Sequence, residues 1–444
     1  MIKLRPHFPS RQNEIDQAMA PIIRDMGEIG LFVDVTERNR LSEIADKKIA
    51  EQAKIIERCA GPINPNSGPQ VAKYLYTVKR CPEFDSTGDD AEDGFGATGE
   101  KALLKILEHG ADEEATAFIN ALLVFRGYSK VQSGYLTNKY TRPTKWDGIE
   151  RLRYSAGFVK TGRLSTQPNT QNWPSRGPLN VKRMIIAPPG FKLVKADFEQ
   201  IEVRIFAVQA GDEIMLKAFD ENLDAHSYTA AKVFAPMHPD YTEDALYQAL
   251  VNRKGSDKQK LWEFTRTLAK TVRFSKQDGA RGKNFVTMIK TAREKGTSEL
   301  LFPNVAADYL KQVDRLWERM NPWTKTFAET TLDFVQEHRY VYEDFHGRRR
   351  CFPHGYASPN EPPNQRIQGC AAGMTNQAVL RLDPQIEWCD DAGIVNQVHD
   401  EILTCTREEK ALETKEILES EMRFDYHSRV TVFAEAEICS RWSG

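Results

Sequence analysis

The chain has 444 residues, 40% of them hydrophobic and 28% charged, with a formal net charge of -2. That length suits two or three packed subdomains rather than one core. No apolar run approaches the roughly 20 residues that cross a bilayer, and Met1 to Arg11 lacks the apolar centre of a signal peptide, so a cytoplasmic chain with no membrane partner is expected. The 7 cysteines form no C-x-x-C pair, which points away from a zinc site or a disulfide framework.

Taken in order, Glu14 to Ile56 has a helical pattern, interrupted at Gly27–Gly30 and by a strand-like Leu31–Val35. Pro62–Pro69 reads as turns, Asp85–Asp93 as an acidic loop, and Lys101–Val131 as two or three helices. Between Tyr154 and Val208, glycines and prolines punctuate a loop-rich segment that ends in an apolar strand, Phe191–Ala196. That strand meets Asp197, and an apolar-periodic stretch, Ile201–Ala207, follows. Leu223–Gly296 is helical and rich in Lys and Arg, with bases gathered in Arg266–Lys295. Tyr309–His338 is a further long helical stretch, followed by the basic triplet Arg348-Arg349-Arg350, a loop at Pro353–Pro363, and a helix of small residues at Gln368–Leu382. Ile394–Val398 and Glu401–Thr404 read as strands joined through His399-Asp400, and Val430–Ile438 as a last strand.

Two carboxylates stand out. Asp197 sits where "FKLVKA" runs out, and Asp400 sits at a tight turn between "GIVNQV" and "EILTC". A carboxylate at the end of a buried strand is costly unless paired or bound to metal. Judged singly, each would cap a turn or helix. Brought together, they would suit two Mg2+ ions, which take a few carboxylates plus water and substrate phosphates.

The wording around both resembles family-A DNA polymerases. "DFEQIEVRIFAVQAGD" (Asp197–Asp212) looks like motif A and "NQVHDEI" (Asn396–Ile402) like motif C. "TGRLSTQPNTQNWP" (Thr161–Pro174), "DAHSYTAAKVF" (Asp224–Phe234), "HGRRRCFP" and "NQRIQGCAAGMTNQA" (Asn364–Ala378) resemble the family's other blocks, in the family's order. "GLFVDV" and "NPNSGPQVAKYL" look like the approach to the thumb, and "EAEICSRW" like the closing strand. The resemblance implies an α+β right hand with an antiparallel palm sheet, a helical thumb and helical fingers. The expected divisions are 1–34 beside the palm, 35–139 thumb, 140–211 palm with motif A, 212–351 fingers, and 352–444 palm with motif C.

It further implies a template-directed DNA polymerase of the bacterial polymerase I type, cellular or phage-encoded (then in the host cytoplasm). The expectation is a monomer that adds dNTPs to a primer 3′-hydroxyl on primer–template DNA. About 15 residues precede the first helix, too few for a proofreading domain, so a separate exonuclease or replisome proteins are the expected partners. The rivals are an RNA polymerase or reverse transcriptase on the same scaffold, and a non-catalytic nucleic-acid-binding relic.

By resemblance, Asp197, Asp400 and the Phe198 carbonyl hold two Mg2+ ions, with Mn2+ as a substitute. Glu401 stands behind them and His399 at the primer end. Glu202, with Gln200, belongs to the dNTP site, where Glu202 excludes a ribose 2′-hydroxyl. Arg163, Asn169, Gln171, Asn172, Asn364 and Gln368 touch primer and template in the minor groove, where base pairs look alike, and His226 touches the triphosphate. In the fingers, "RTLAKTVRFSKQDGARG" matches the family's helix as Arg266, Lys270 and Phe274, spaced by four on one face. Lys270 would act catalytically on the triphosphate. Ser275 replaces a Gly of the pattern, and Asp278 stands where a Tyr is expected, three residues after Ser275 and just before Gly279. A rival register uses Arg281 or Lys283 with Phe285. The basic triplet is expected to face the duplex, and Asn360 stands near a position where the family often has Arg.

Overall fold

The computed structural model describes residues 4, 10–83, 97–109, 111–137, 148–175, 179–237, 241–252, 259–277, 282–292, 301–302, 305–356, 358–389 and 391–443. The acidic loop Asp85–Asp93, Asp278, Gly279 and Arg281 lie outside the described residues.

Helix α1 (Gln12–Ile29) buries Ile15, Met19, Ile22, Ile23 and Met26 along one stripe, as the i, i+4, i+7 spacing demands. It continues through Gly27 and ends at Gly30, whose φ of 72° suits a residue without a Cβ. Gly27 has a different reason to be small: a Cβ there would press into the carbonyl oxygen of Leu152. Gly27→Ala is therefore expected to destabilise the protein by about 1–3 kcal/mol through overpacking, read from urea midpoints. An unchanged midpoint would mean that the helix can step away from Leu152.

Strand β1 (Leu31–Phe32) pairs with β2 (Ile149–Glu150). Between them in the chain lies a helical lobe. Helix α2 (Val35–Ala60) is capped by Asp34, whose carboxylate accepts the Glu37 N–H at 3.0 Å. It packs with α3 (Gly68–Ala72), α4 (Glu100–His109) and α5 (Glu113–Val131) around Ile56, Leu75, Phe118 and Leu122. The hairpin β3 (Arg153–Ser155) and β4 (Ser165–Gln167) leads out of the lobe.

The central sheet has the antiparallel order β12-β5-β9-β8, from β5 (Phe191–Phe198), β8 (Gly393–Val398), β9 (Glu401–Arg407) and β12 (Ala434–Cys439). It is covered on both faces. Val194, Ala196, Ile394 and Ile402 face a core shared with α1 and with α14 (Glu361–Leu382). Leu193, Val395, Leu403 and Cys405 face a second core that contains Trp173 and Trp442. Two-sided burial explains why β8 reads as an unbroken buried run rather than as an alternation.

A helical body follows β5: α6 (Ile201–Ala210), α7 (Glu213–Asp220), α8 (Ala225–Phe234), α9 (Glu243–Val251), α10 (Gln259–Gln277), α11 (Gly282–Thr291), α12 (Ala307–Met320) and α13 (Pro322–His338). Phe234, Leu268, Val272, Phe285, Ile289 and Trp317 form its core. The single stretch expected at Tyr309–His338 is two helices. Asn321, with φ -125° and ψ 57°, precedes Pro322, and a residue before proline is pushed out of the helical region. Pro322 then opens α13, where its missing N–H costs nothing. The loop expected through Pro363 is also shorter. Helix α14 starts at Glu361 and takes Pro362 and Pro363 into its first turn. The hairpins β6 (Tyr340–Tyr342)/β7 (Arg349–Cys351) and β10 (Phe424–His427)/β11 (Val430–Val432), and helix α15 (Ala411–Glu421), complete the fold.

Candidate active site

Asp197 lies in register with Glu401 on one side and Glu435 on the other. The Phe198 N–H points at the Asp400 carbonyl, 3.3 Å away. The two aspartates that stand 203 positions apart in the chain thus meet at one end of the central sheet. His399 and Asp400 form the whole turn between β8 and β9, since Val398 pairs directly with Glu401. His399 holds a φ of 56°, a conformation that a two-residue hairpin normally gives to glycine. Gln171 braces this turn. Its Nε2 donates to the Gln397 carbonyl at 2.8 Å, and its Oε1 accepts the His399 N–H at 3.2 Å. Both ends of an amide expected to reach the duplex are thereby engaged in holding the turn. Asn169 supports Gln171 by accepting its N–H at 3.0 Å, while Asn172 is exposed.

The electrostatics fit a cation. Burial, then the charge of Glu401, pushes Asp197 up to about 6. Burial, then the charges of Asp197 and Glu202, pushes Asp400 up to about 7. Carboxylates raised by burial and by neighbouring acids are relieved by a positive ion. Glu401 is held off to the side, accepting from Lys182 Nζ at 2.9 Å and Trp442 Nε1 at 2.7 Å. The Lys182 ammonium also lies 4.2 Å from the centre of the Trp442 ring. Among the described residues no three His, Cys, Asp or Glu side chains converge as a cage. A pair of carboxylates without a cage suits Mg2+, which takes its remaining ligands from water and phosphates.

Gln200, at φ 52°, precedes α6, and Glu202 stands in that helix's first turn. Glu202 is ion-paired with Arg163. On α14, Asn364 and Gln368 are one turn apart and half-buried, so they share a face. Their neighbour Arg366 points inward to Asp344 and Thr331, each at 3.2 Å.

On α10, Arg266, Lys270 and Phe274 recur every four residues. Arg266 is engaged by Asp224 through two bonds, Nε–Oδ1 at 3.2 Å and Nη2–Oδ2 at 2.8 Å. Lys270 is exposed, and the side chain of Phe274 lies outside the description, as does that of Lys283. His226 is buried and pushed down to about 3, by burial first and then by the charges of Arg266, Arg273 and Lys270. Phe285, the ring of the rival register, is fully buried in the helical core.

The triplet Arg348-Arg349-Arg350 does not present one face to a duplex. Arg348 is buried and paired with Asp16, with one bond at 3.2 Å. Arg350 pairs with Glu361 at 3.1 Å. Arg349 lies over the Tyr340 ring at 5.0 Å. A run of like charges does not say that its members have separate acidic partners far along the chain. Lys182, Trp442, Asp224 and Arg273 take part in the site or its support and were not marked as such. Asp224, Arg273 and Trp442 lie inside blocks that resemble the family's, while Lys182 lies outside them.

The profile of DNA polymerase family A matches residues 35–444. The chain is 26% identical to the thermostable DNA polymerase I of Thermus aquaticus over 441 residues, covering 97% of this chain and 48% of that protein. It is 28% identical to DNA polymerase I of Deinococcus radiodurans over 426 residues, 92% of this chain and 40% of that one. The chain thus spans about half the length, or less, of these curated relatives. Among solved structures, the POL domain of Pol1 from M. smegmatis, in complex with DNA primer-template and dNTP, superposes with a TM-score of 0.76 at 20% identity, over 96% of this chain and 70% of that one.

Proposed function

The chain belongs to DNA polymerase family A, and from that premise we propose that it extends a primer 3′-hydroxyl with dNTPs under the direction of a template strand. Its α+β architecture is that of a right-hand polymerase domain. The observation that carries the proposal is the meeting of Asp197 and Asp400 at one sheet end, where burial raises both carboxyls and the charge of Asp197 raises Asp400 further.

Asp197, Asp400 and the Phe198 carbonyl would hold two Mg2+ ions, with Mn2+ as substitute. When bound, these would supply an activated primer hydroxyl and charge neutralisation on the triphosphate and the leaving pyrophosphate. The protein's own side chains orient the reactants. His226, Arg266 and Lys270 take the triphosphate, Phe274 lies along the sugar and base, and Gln200 borders the same space. Arg163, Asn169, Asn172, Asn364 and Gln368 follow the minor groove, and His399 meets the primer end. Gln171 acts through the turn that it braces, and Glu401 through its place beside Asp197. Positioning of this kind, in a water-poor cleft, supplies most of the acceleration in phosphoryl transfer.

Residues 35–139 would form the thumb, 212–351 the fingers, and 140–211 with 352–444 the palm. Residues 1–34 would pack beside the palm, a reading supported by the α1 stripe in the core of the central sheet.

Primer extension with dNTPs and rNTPs, on DNA and RNA templates, tests the proposal. Glu202, anchored by Arg163, would sit under the sugar. Glu202→Ala is expected to reduce the preference for dNTP over rNTP by about ten- to a hundredfold, read as the ratio of kcat/KM values. An unchanged ratio would remove Glu202 from the sugar site. Equal use of rNTPs by the unaltered protein would favour an RNA polymerase, and binding of primer–template without extension would favour a non-catalytic relic.

A further inference from the structure

We propose that Asp224 is a latch that occupies Arg266 until a triphosphate displaces it, and so sets the nucleotide concentration the protein needs. The inference rests on the assignment of Arg266 to the triphosphate.

Asp224 meets Arg266 as a phosphate would, fork on fork, with Nη2–Oδ2 at 2.8 Å and Nε–Oδ1 at 3.2 Å. Paired N–H bonds to two oxygens are the geometry in which guanidinium recognises carboxylate and phosphate alike. The pair is neither sealed nor free: the side chains are 24% and 33% exposed, so a ligand can reach the contact. Around it the charge is mostly positive. Burial first, and then the charges of Arg266, Arg273 and Lys270, push the His226 imidazole down, and Arg273 has its own partner in Asp212 at 3.0 Å. Asp224 is therefore the anion that this corner holds in place of a phosphate. Burial alone would raise its carboxyl, yet the bonds from Arg266 and Ser227 hold it well below the usual range. It is ionised at any pH at which the protein works.

Release has a place to go. Asp224 also lines a cavity of about 360 Å3 whose other walls include Gln200, Arg204 and Arg429. A carboxylate let go by Arg266 is left facing a mixed wall that offers Gln200, Asn222 and arginines, of which Arg429 is already paired with Asp220. Asp224 has a structural duty as well, since it caps α8 by accepting the Ser227 N–H at 2.7 Å. Asparagine and serine perform that duty without the charge, so Asp224→Asn and Asp224→Ser separate latch from cap.

Both variants are expected to lower the apparent KM for dNTP by about two- to fivefold, the range for a part-exposed ion pair, while kcat is read separately. In an Arg266→Ala background, Asp224→Asn should leave KM where Arg266→Ala alone puts it, because there is nothing left to hold. A cap with no latch role would leave both KM and thermal stability unchanged in the two variants. A KM that rises or stays level in both capping variants overturns the proposal, because Asp224 would then be orienting Arg266 or ignoring it. Binding of inorganic triphosphate, measured by calorimetry on the full chain, gives a second readout that needs no polymerisation. It should tighten in Asp224→Asn even if primer extension fails for the unaltered protein, and no tightening there would sink the latch independently of the polymerase reading.

Discussion

Asp400→Ala and Asp197→Ala are each expected to slow nucleotide incorporation by at least about 10³-fold. Metal-borne charge stabilisation is worth several kcal/mol, and each 1.4 kcal/mol or so is a factor of ten. Single-turnover primer extension measures it, with primer–template affinity as the companion reading. Retained affinity with lost chemistry is the expected pattern, and retention of more than about a tenth of the rate by either variant would remove that carboxylate from the chemistry. The same site gives a prediction on stability. The folded pKa of Asp400 is raised to about 7, above the ordinary value of 3.8. Stability that is present below the unfolded pKa is then lost as the pH climbs through the folded one. Metal-free Asp400→Asn should accordingly melt higher than the unaltered protein at about pH 8, with the difference fading towards about pH 4. A site that gains stability when its acid is removed is one shaped for a cation.

Arg273→Met is expected to cost about 3–5 kcal/mol, the loss typical of breaking a buried ion pair by removing one partner. Arg273 and Asp212 are each 1% exposed at the side chain. The guanidinium also donates to Thr229 Oγ1 at 2.8 Å, and the carboxylate caps α7 by accepting the Met215 N–H at 3.0 Å. Arg273 follows Arg266 by two turns on the same side of α10, so the pair fixes the helix that presents Arg266 and Lys270. Adding Asp212→Asn, which keeps a capping oxygen but removes the stranded charge, should recover most of the loss. Urea unfolding of the single and double variants provides the measurement. A cost below about 1 kcal/mol for Arg273→Met would show that water reaches the pair.

The strands of the sheet and the two aspartates were legible because they are local facts. "FKLVKA" and "GIVNQV" are apolar runs with an acid at the end, and His399-Asp400 is too short to be anything but a turn. The wording around them carried the family. Less legible is what a residue faces. Gln171 stands in a block suited to the minor groove, yet its amide spans the β8–β9 turn. The basic triplet looks like one patch, but Arg348 turns to Asp16, 332 positions away, and Arg350 to Glu361. No local pattern foretells such pairings, since the partner's identity is set by the fold. The break at Asn321 had a local signal, the proline after it, which the continuous helical pattern across Tyr309–His338 masked.

The convergence of Asp197 and Asp400 on divalent ions is tested most directly by anomalous diffraction from crystals of the protein with primer–template, an unreactive dNTP analogue and Mn2+. The expected result is manganese density bridging the two carboxylates and the nucleotide phosphates, absent when Asp400 is alanine. Manganese bound elsewhere in a complex whose nucleotide is in place, with the two carboxylates bare, would contradict the account.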